Sequence, residues 1–600
     1  MKKEEIANRY RELSEKYNTL AHVEKRYLLV LSLLRLVVFI GGIILTVAGF
    51  MYSSLAGVTS LFLVAGIFIL LLLLYSRHSE KMTFFSNISV ISKNELRALG
   101  GDLSPFEDGS EWIDQEHDFS NDIDLFGGDS LFRFLNRTVT GYGKAILAGW
   151  LKEPEKLTSE LTERQEVISE LAGKLSWRQE FLAHGMGQSL AEQDVRSLIN
   201  WLDDDSSILA SPVSRISVYL LPAVTLSALL IVMAGFMHYS FFIFFFLLNL
   251  LVTALFLRIT NRIHNTVSKK FVFLSSLGHL MNMFTGEEFI SRKLAEVKQN
   301  LTSDNASAIS GIRKLSRIIQ SFDSRLNFMI GFVLNGLLLW DLHCIKSLER
   351  WKGESAGLLP EWLMKIGEVD AYISLANYAY NNPVYTYPAL SSGHEILVAR
   401  AMGHPLISDD VRISNDFSIE RKGMLGIITG ANMAGKSTFL RTVAVNFVLG
   451  MTGAPVCCTS MNFSNVRLFT SMRTTDSLSH NESYFYAELK RLKSLKARIE
   501  QGEEILFILD EILKGTNSED KSAGSRLFIR KMIEHSGTGL IATHDISLGK
   551  MEEEYPELVF NKCFEIEING ENISFDYLLR DGITTVMNAA LLMKQMGIAD

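Results

Sequence analysis

Cysteine is scarce: 600 residues contain four, Cys344, Cys457, Cys458 and Cys563. None of them forms a Cys-x-x-Cys pair or stands at metal-ligand spacing from histidine. That excludes a disulfide framework and a zinc site, and leaves reduced, buried thiols as the expectation. An excess of positive charge is also missing. Lysine and arginine total 59 against 67 acidic residues, a net charge of −8, so the chain as a whole offers no electrostatic attraction to nucleic acid. A secretory signal is absent too. The first 27 residues are charged and helical in pattern, and the first apolar run starts only at Leu28, later and longer than a signal peptide would place it.

What the chain has in quantity is apolar sequence, 48% of all residues, grafted onto a polar body. Leu36 to Tyr52, extended by Leu28 to Leu34 across Arg35, is followed after a few residues by Leu55 to Tyr75. Ile216 to Met237 and Phe241 to Leu257 repeat the arrangement. No Asp, Glu, Lys, Arg or His interrupts any of these runs beyond Arg35, and each approaches the roughly 20 residues that cross a bilayer core. The expectation is four spans in two hairpins. Lys25, Arg26, Arg35, Arg77 and Lys81 flank the first pair, and Arg215, Arg258, Arg262, Lys269 and Lys270 the second. The turns around Ser53 and His238 lack Lys and Arg. The positive-inside rule then puts both chain ends and nearly all polar mass in the cytoplasm, at the inner or plasma membrane. Leu326 to Trp340 is apolar but contains Asn327 and Asn335 and ends at Asp341, which reads as a buried core helix.

A phosphate-binding loop stands further on. Leu425 to Thr429 is a short apolar strand, and Phe439 to Leu449 is helical. Between them run Gly430, Ala431, Asn432, Met433, Ala434, Gly435, Lys436, Ser437 and Thr438, a G-x-x-x-x-G-K-[ST] loop in its strand–loop–helix setting. Small residues let backbone N–H groups wrap a β-phosphate, and the helix N-terminus adds positive potential. Lys436 can reach the β- and γ-phosphates, and Ser437 can offer a hydroxyl to Mg²⁺. Glu504 to Leu509 is an apolar strand delivering Asp510 and Glu511, the pattern of a Walker B element. Asp510 would hold the Mg²⁺ shell and Glu511 would polarise the attacking water. A third strand, Thr538 to Ala542, leads to Thr543-His544, where the histidine can sense the γ-phosphate. The catalytic candidates are therefore Glu511, His544 and Lys436, and the cofactors are ATP and Mg²⁺.

These segments together resemble the MutS family. Thr429 to Thr438 is similar to its phosphate loop, whose Asn-Met pair is unusual. Asp510 to Ser518 resembles its Asp-Glu-Ile-Gly-Arg-Gly-Thr-Ser block, and Ala542-Thr543-His544 its Ala-Thr-His. Gly403-His404-Pro405 and Asn415-Asp416 match further landmarks. Leu125-Phe126, Ser130-Leu131-Phe132, Leu135-Asn136, Thr138, Gly143-Lys144, Trp150-Leu151, Pro154 and Arg164-Gln165 are similar to the start and continuation of the family's core domain. The resemblance covers roughly 120 to 600, broken by the second hairpin. It implies an α/β P-loop ATPase of the ABC class at the C-terminus, dimerising with ATP at the interface, beside a mainly α-helical core. Ser483, in Ser483-Tyr484-Phe485, occupies the place of the serine that contacts the opposite subunit's nucleotide, although Asn481 replaces the glycine before it. Arg412 stands where the family has an aromatic residue stacking on adenine, and a guanidinium can also stack.

The chain lacks the family's opening. About 120 residues precede the core match, Phe106-Glu107-Asp108 does not match the mismatch-reading wedge and reads as a loop, and the second hairpin interrupts the domain into which the family inserts its DNA clamp. The match ends with a helix from Thr584 to Gly597, and no nuclease domain is expected after it. The basic run Lys490, Arg491, Lys493, Lys496 and Arg498 reads as a solvated helix face. The expected organisation is a cytoplasmic helix (1–27), transmembrane hairpin one (28–76), core (84–215), transmembrane hairpin two (216–258), core continued (259–394) and ATPase (395–600). An ABC transporter ATPase fused to its channel is disfavoured, since no Leu-Ser-Gly-Gly-Gln segment occurs and no charged residue inside the spans marks a substrate path. Two functions remain: a membrane-tethered ATP switch acting on DNA or a DNA-bound partner, and an ATP-driven membrane scaffold or remodelling protein with no nucleic-acid role.

Overall fold

In the computed structural model, the residues described are 2–154, 158–187, 200, 202, 212–268, 271–302, 308–391, 393–431, 433–473, 484–515, 517–569 and 572–584. The expected helix from Thr584 to Gly597 lies outside them beyond its first residue.

The chain opens with two long helices, α1 (Lys3–Tyr52) and α2 (Ser54–Leu99), that reverse at Ser53. Ser53 caps the second helix by accepting from the Ala56 N–H at 3.1 Å. The pair packs side by side along its length. Tyr27 stacks on His78, the Arg35 guanidinium lies 4.1 Å from the Tyr75 ring centroid, and Phe39 meets Phe68. Small residues allow close approach near the turn: a Cβ added at Gly49 would lie 2.9 Å from the Ala56 carbonyl oxygen. At 1.5 Å per residue each helix is roughly 70 Å long, more than twice a hydrocarbon core. The far halves, with Val37, Ile44, Phe62 and Leu73, are exposed. The near halves enter the helical core, where Ile6, Tyr10, Ile88, Ser92 and Glu95 are buried.

Among the described residues only these two helices are individually long and apolar enough to cross a membrane. The second apolar pair does not give two such spans. Its first helix, Pro212–Met233, is apolar over Ile216–Val232, and Tyr239–Leu255 bends by 59° into Leu257–Asn265, so that the two would make a third span only if taken together. The Leu326 to Trp340 stretch also departs from expectation. It is not a buried core helix: Phe328–Leu338 packs on the second apolar pair and leaves Ile330, Phe332 and Val333 exposed.

The core is helical and is organised around Leu359–Asn381, which is buried over most of its length. Gly141–Lys152 and Thr158–Gly173 pack on it. Its Asp370 carboxylate accepts from the N–H groups of Val139 and Thr140 and from the Thr140 hydroxyl, fixing the start of the neighbouring helix. Tyr10 of α1 donates to Asn381 of this helix at 2.9 Å.

Among its described residues the C-terminal part contains twelve short strands: β1 (Ala389–Leu390), β2 (Leu397–Met402), β3 (Asn415–Ile419), β4 (Leu425–Gly430), β5 (Ser460–Phe463), β6 (Arg467–Ser471), β7 (Ile505–Asp510), β8 (Thr538–Thr543), β9 (Val559–Phe564), β10 (Glu567–Asn569), β11 (Asn572–Ser574) and β12 (Leu579–Asp581). Six form a sheet in the order β12-β9-β4-β8-β7-β6, parallel except for β12. β4, β7 and β8 are buried at every position, as expected of central strands covered on both faces. A second sheet, β1-β5-β2-β3, lies alongside, and β10 and β11 form a hairpin. The segment at 117–124 is clamped to this part. Asp122 accepts from the Thr470 hydroxyl and the Arg473 N–H, both at 2.6 Å. All four cysteines are free and buried.

Candidate nucleotide-binding site

The parallel strands β4, β7 and β8 end on one edge of the sheet, and the loops that follow them converge there. Such a crevice beyond the carboxyl ends of parallel strands is where α/β sheets bind ligands. β4 runs into the glycine loop. Gly435 has φ +105°, and a Cβ there would approach the Tyr577 ring to 3.0 Å, so conformation and space both require glycine. Met433 sits at φ +68° with its side chain exposed. Ala431 and Ala434 are buried, and the Lys436–Met451 helix begins directly after Gly435. Asn432 lies outside the described residues.

Lys436 is buried, and its ammonium donates to the Gly430 and Ala431 carbonyls at 2.7 and 2.9 Å. It also lies 3.3 Å from His544 Nδ1. Burial pulls its pKa down to about 8, against the opposing pull of Asp510 and Glu511. Next to it, the Ser437 hydroxyl donates to Asp510 Oδ2 at 2.5 Å. A hydroxyl and a carboxylate at this spacing, beside a phosphate-binding lysine, are the hard oxygen donors that suit Mg²⁺ shared with phosphates and water. No cluster of three or more His, Cys, Asp or Glu side chains placed to hold a metal ion occurs among the described residues. Thr438 follows in the same helix turn and lines the cleft.

Glu511 takes φ +56°, and its N–H donates to the Ala542 carbonyl at 2.9 Å, so β8 fixes the turn that aims its carboxylate. Lys521 donates to Glu511 Oε1 at 3.2 Å, and His544 Nε2 lies 3.5 Å from the same oxygen. Burial alone would raise the Glu511 pKa, but Lys521 and His544 outweigh it and hold it below the usual glutamate value. Burial and Lys436 together push the His544 pKa down, against the opposing pull of Glu511.

The turn after Glu511 is fastened from outside. Glu488 is buried and accepts from the N–H groups of Leu513 and Lys514 at 2.7 and 3.1 Å. Leu513 has φ +60°. Thus the helix that follows the Ser483-Tyr484-Phe485 segment, Tyr484–Glu500, is bonded to the loop that carries the two acids. Ser483 and Asn481 themselves lie outside the described residues.

The cleft formed by these groups has a volume of about 510 Å³. Ile407, Val411, Ile413 and Tyr577 add apolar lining to it. The Arg412 guanidinium points elsewhere, donating to the Tyr385 hydroxyl at 3.0 Å, to the Ile407 carbonyl at 3.2 Å and to Asp409 at 2.5 Å. Arg412 does not line this cleft, whereas Val411, Ile413 and Tyr577 do. Asn415 orients Tyr577, donating to its carbonyl at 3.1 Å and accepting from the Leu579 N–H at 2.8 Å. Sequence reasoning missed Lys521, Tyr577 and the apolar lining.

The basic run on Tyr484–Glu500 is also not a purely solvated face. Arg491 donates to the carbonyls of Thr470, His117 and Asp118, and Arg498 pairs with Asp118 and Glu503. These arginines join the ATPase part to the helical part. Phe106 sits in a loop with the Arg137 guanidinium 3.6 Å from its ring centroid.

Residues 426–593 match MutS domain V, and residues 114–328 match MutS domain III. The second apolar helix pair falls inside the domain III match. The DNA mismatch repair protein MutS of Thermotoga petrophila is 29% identical over 246 residues, covering 40% of this chain and 30% of that protein. The DNA mismatch repair protein MutS of Aquifex pyrophilus is 31% identical over 221 residues, covering 36% and 25%. That of Clostridioides difficile is 32% identical over 219 residues, covering 35% and 22%. The chain thus aligns with less than a third of the length of these curated relatives.

Proposed function

We propose that this chain, which carries MutS domains III and V, is a membrane-anchored ATPase. The observation that carries the proposal is the convergence of Lys436, Ser437, Asp510, Glu511 and His544 on one cleft beyond the strand ends of a parallel sheet. ATP would enter with its base against Ile413 and Tyr577 and its phosphates over the glycine loop. Lys436 would exchange the Gly430 and Ala431 carbonyls for phosphate oxygens. Ser437 and Asp510 would hold Mg²⁺, whose charge would offset that of the phosphates. Glu511, ionised and aimed by β8, would orient a water for in-line attack. The bond from that water to the γ-phosphorus forms as the bond to the β–γ bridging oxygen breaks, and Glu511 accepts the proton. His544 would monitor the γ-phosphate. Purified protein tests this: Lys436→Ala should lose ATP binding, and unchanged binding would sink the assignment.

In the same proposal α1 and α2 form a transmembrane hairpin, and the second apolar pair forms another. Both chain ends lie on the cytoplasmic side, as the basic flanks require. The ATPase part acts as a homodimer with Ser483 reaching the partner's nucleotide. Mixing Lys436→Ala with Ser483→Ala chains should restore part of the activity that each lacks, because one of the two composite sites is then intact. A second reading adds DNA, or a DNA-bound partner, as the object of the ATP cycle. It is favoured by the match to MutS domains III and V and by the likeness to DNA mismatch repair proteins over 40% of the chain. Salt-dependent DNA binding by detergent-solubilised protein separates it from a membrane scaffold without a nucleic-acid role.

A further inference from the structure

The apolar helix Phe328–Leu338 leaves the helical core and returns to it. The two ends of the excursion are tied together. Trp340 Nε1 donates to the Ser321 carbonyl at 2.9 Å, and Arg325 pairs with Asp341 at 3.1 Å. The helix stops at Leu339, a buried residue at φ +50°. No charged side chain occurs from Leu326 to Trp340.

Within this region polar groups point inward and apolar groups outward, the reverse of a bundle built for water. On Tyr239–Leu255 the buried residues are Asn249 and Thr253, whereas Phe244, Leu247 and Leu251 are exposed. Asn249 donates to the Thr225 hydroxyl at 3.0 Å and to the Gly336 carbonyl at 2.8 Å, so it joins all three apolar helices. Asn335 is buried, donating to the Gly331 carbonyl and accepting from the Asp341 N–H. Phe246 lies directly on Gly336, where an added Cβ would come within 2.2 Å of its ring, and it meets Phe332 edge-on. Phe328–Leu338, packed on Tyr239–Leu255, likewise leaves Ile330, Phe332 and Val333 exposed.

We infer that Phe328–Leu338 is a re-entrant helix that dips about halfway into the bilayer and returns, with lipid hydrocarbon covering Ile330, Phe332 and Val333. The inference rests on the second apolar pair being membrane-embedded, as proposed above. Length supports half depth. Eleven residues rise roughly 16 Å, against about 30 Å for a hydrocarbon core. The contact residue Phe246 stands nine positions before the Leu255 end of its helix, roughly 14 Å along the axis by the same rise. A non-helical break at membrane depth is tolerated where protein buries it, and Leu339 is fully covered. Buried, hydrogen-bonded asparagines and a close glycine contact are what hold apolar helices together when lipid surrounds them.

The test uses the full-length protein in liposomes, with a single nitroxide label at Ile330, Val333, Phe244 or Val384 in a cysteine-free background. Collision with oxygen, which concentrates in hydrocarbon, is compared with collision with a water-soluble nickel chelate. Val384, exposed on the helical core, serves as the aqueous reference. Labels at Ile330 and Val333 should show the oxygen preference of Phe244, several-fold above Val384. Nickel access at Ile330 and Val333 with oxygen preference kept at Phe244 would overturn the re-entrant helix and leave the second hairpin standing. Protection from both reagents at Ile330 and Val333 would overturn it too, because a protein surface would then cover the face. Nickel access at Phe244 would overturn the embedding of the second pair itself.

Discussion

The Ser437 hydroxyl donates to the Asp510 carboxylate at 2.5 Å, joining the first turn of the helix after the glycine loop to the end of β7. These two side chains come from segments 73 positions apart and meet only because β8 and β4 bring the two strand ends to the same edge. Asp510→Asn keeps the shape and removes the charge. Its Mg²⁺ requirement for ATP turnover should rise by at least about tenfold, the order of a lost charged metal contact. A magnesium titration of turnover checks this, and an unchanged half-saturating magnesium concentration would remove Asp510 from the metal shell.

The lowered pKa of Lys436 gives ATP binding a pH signature. Its value is about 8 in the protein without nucleotide, and phosphate oxygens would raise it. Below about pH 8 the amine is charged in both states, so affinity is flat. Above it, binding takes up a proton, and affinity should fall by up to about tenfold per pH unit. Binding isotherms from pH 7 to 9.5, in buffers of different ionisation heat, should show the fall together with the proton uptake. Constant affinity across that range would mean that Lys436 is fully charged before ATP arrives.

Arg412 and Tyr577 should separate cleanly. Arg412→Ala removes bonds to Tyr385, Ile407 and Asp409 but no wall of the cleft, so the ATP dissociation constant should change little while the melting temperature falls. Tyr577→Ala removes a ring that lines the cleft and should weaken ATP binding by about five- to tenfold, the order of one ring contact. The reverse pattern would restore Arg412 as the base-stacking residue.

The two long apolar helices are anchored in the core by a buried ion pair. Glu95, near the end of α2, accepts from Arg137 Nε at 2.5 Å and from Asn381 Nδ2 at 2.8 Å, and both charged side chains are buried. Glu95→Ala strands the Arg137 charge and should cost about 3–5 kcal/mol. By contrast, Lys3→Ala, which breaks a half-exposed pair with Asp409, should cost less than about 1 kcal/mol. Thermal melts of the detergent-solubilised variants check the order. Equal melting temperatures would mean that α2 is not docked through Glu95.

What could be read from the sequence was what is local in it. The glycine loop, the β7 acids and Thr543-His544 each occupy a few consecutive residues, and the three strands end within one residue of where their apolar runs predicted. Lys521 was invisible because it reaches Glu511 from the next helix, and Tyr577 because it arrives from more than 140 positions beyond the glycine loop. Arg412 stands at the expected position but turns its side chain to Tyr385 and Asp409, a choice made by tertiary partners. Periodicity could not show which face of Phe328–Leu338 is covered, so Asn327 and Asn335 suggested a core helix. The bend at Phe256, between Tyr239–Leu255 and Leu257–Asn265, has no proline or glycine to announce it.

The central claim is that this chain is an ATPase held in a membrane, and one measurement addresses both halves. Membrane vesicles with the cytoplasmic face outward are washed with alkali, and hydrolysis of externally added Mg-ATP is followed for the wild type and for Glu511→Gln. The account predicts that activity stays with the washed, sealed vesicles and falls by about 10²-fold or more in Glu511→Gln, the scale of losing the residue that positions and deprotonates water. Activity released into the alkaline wash, or turnover in Glu511→Gln equal to the wild type, would contradict it.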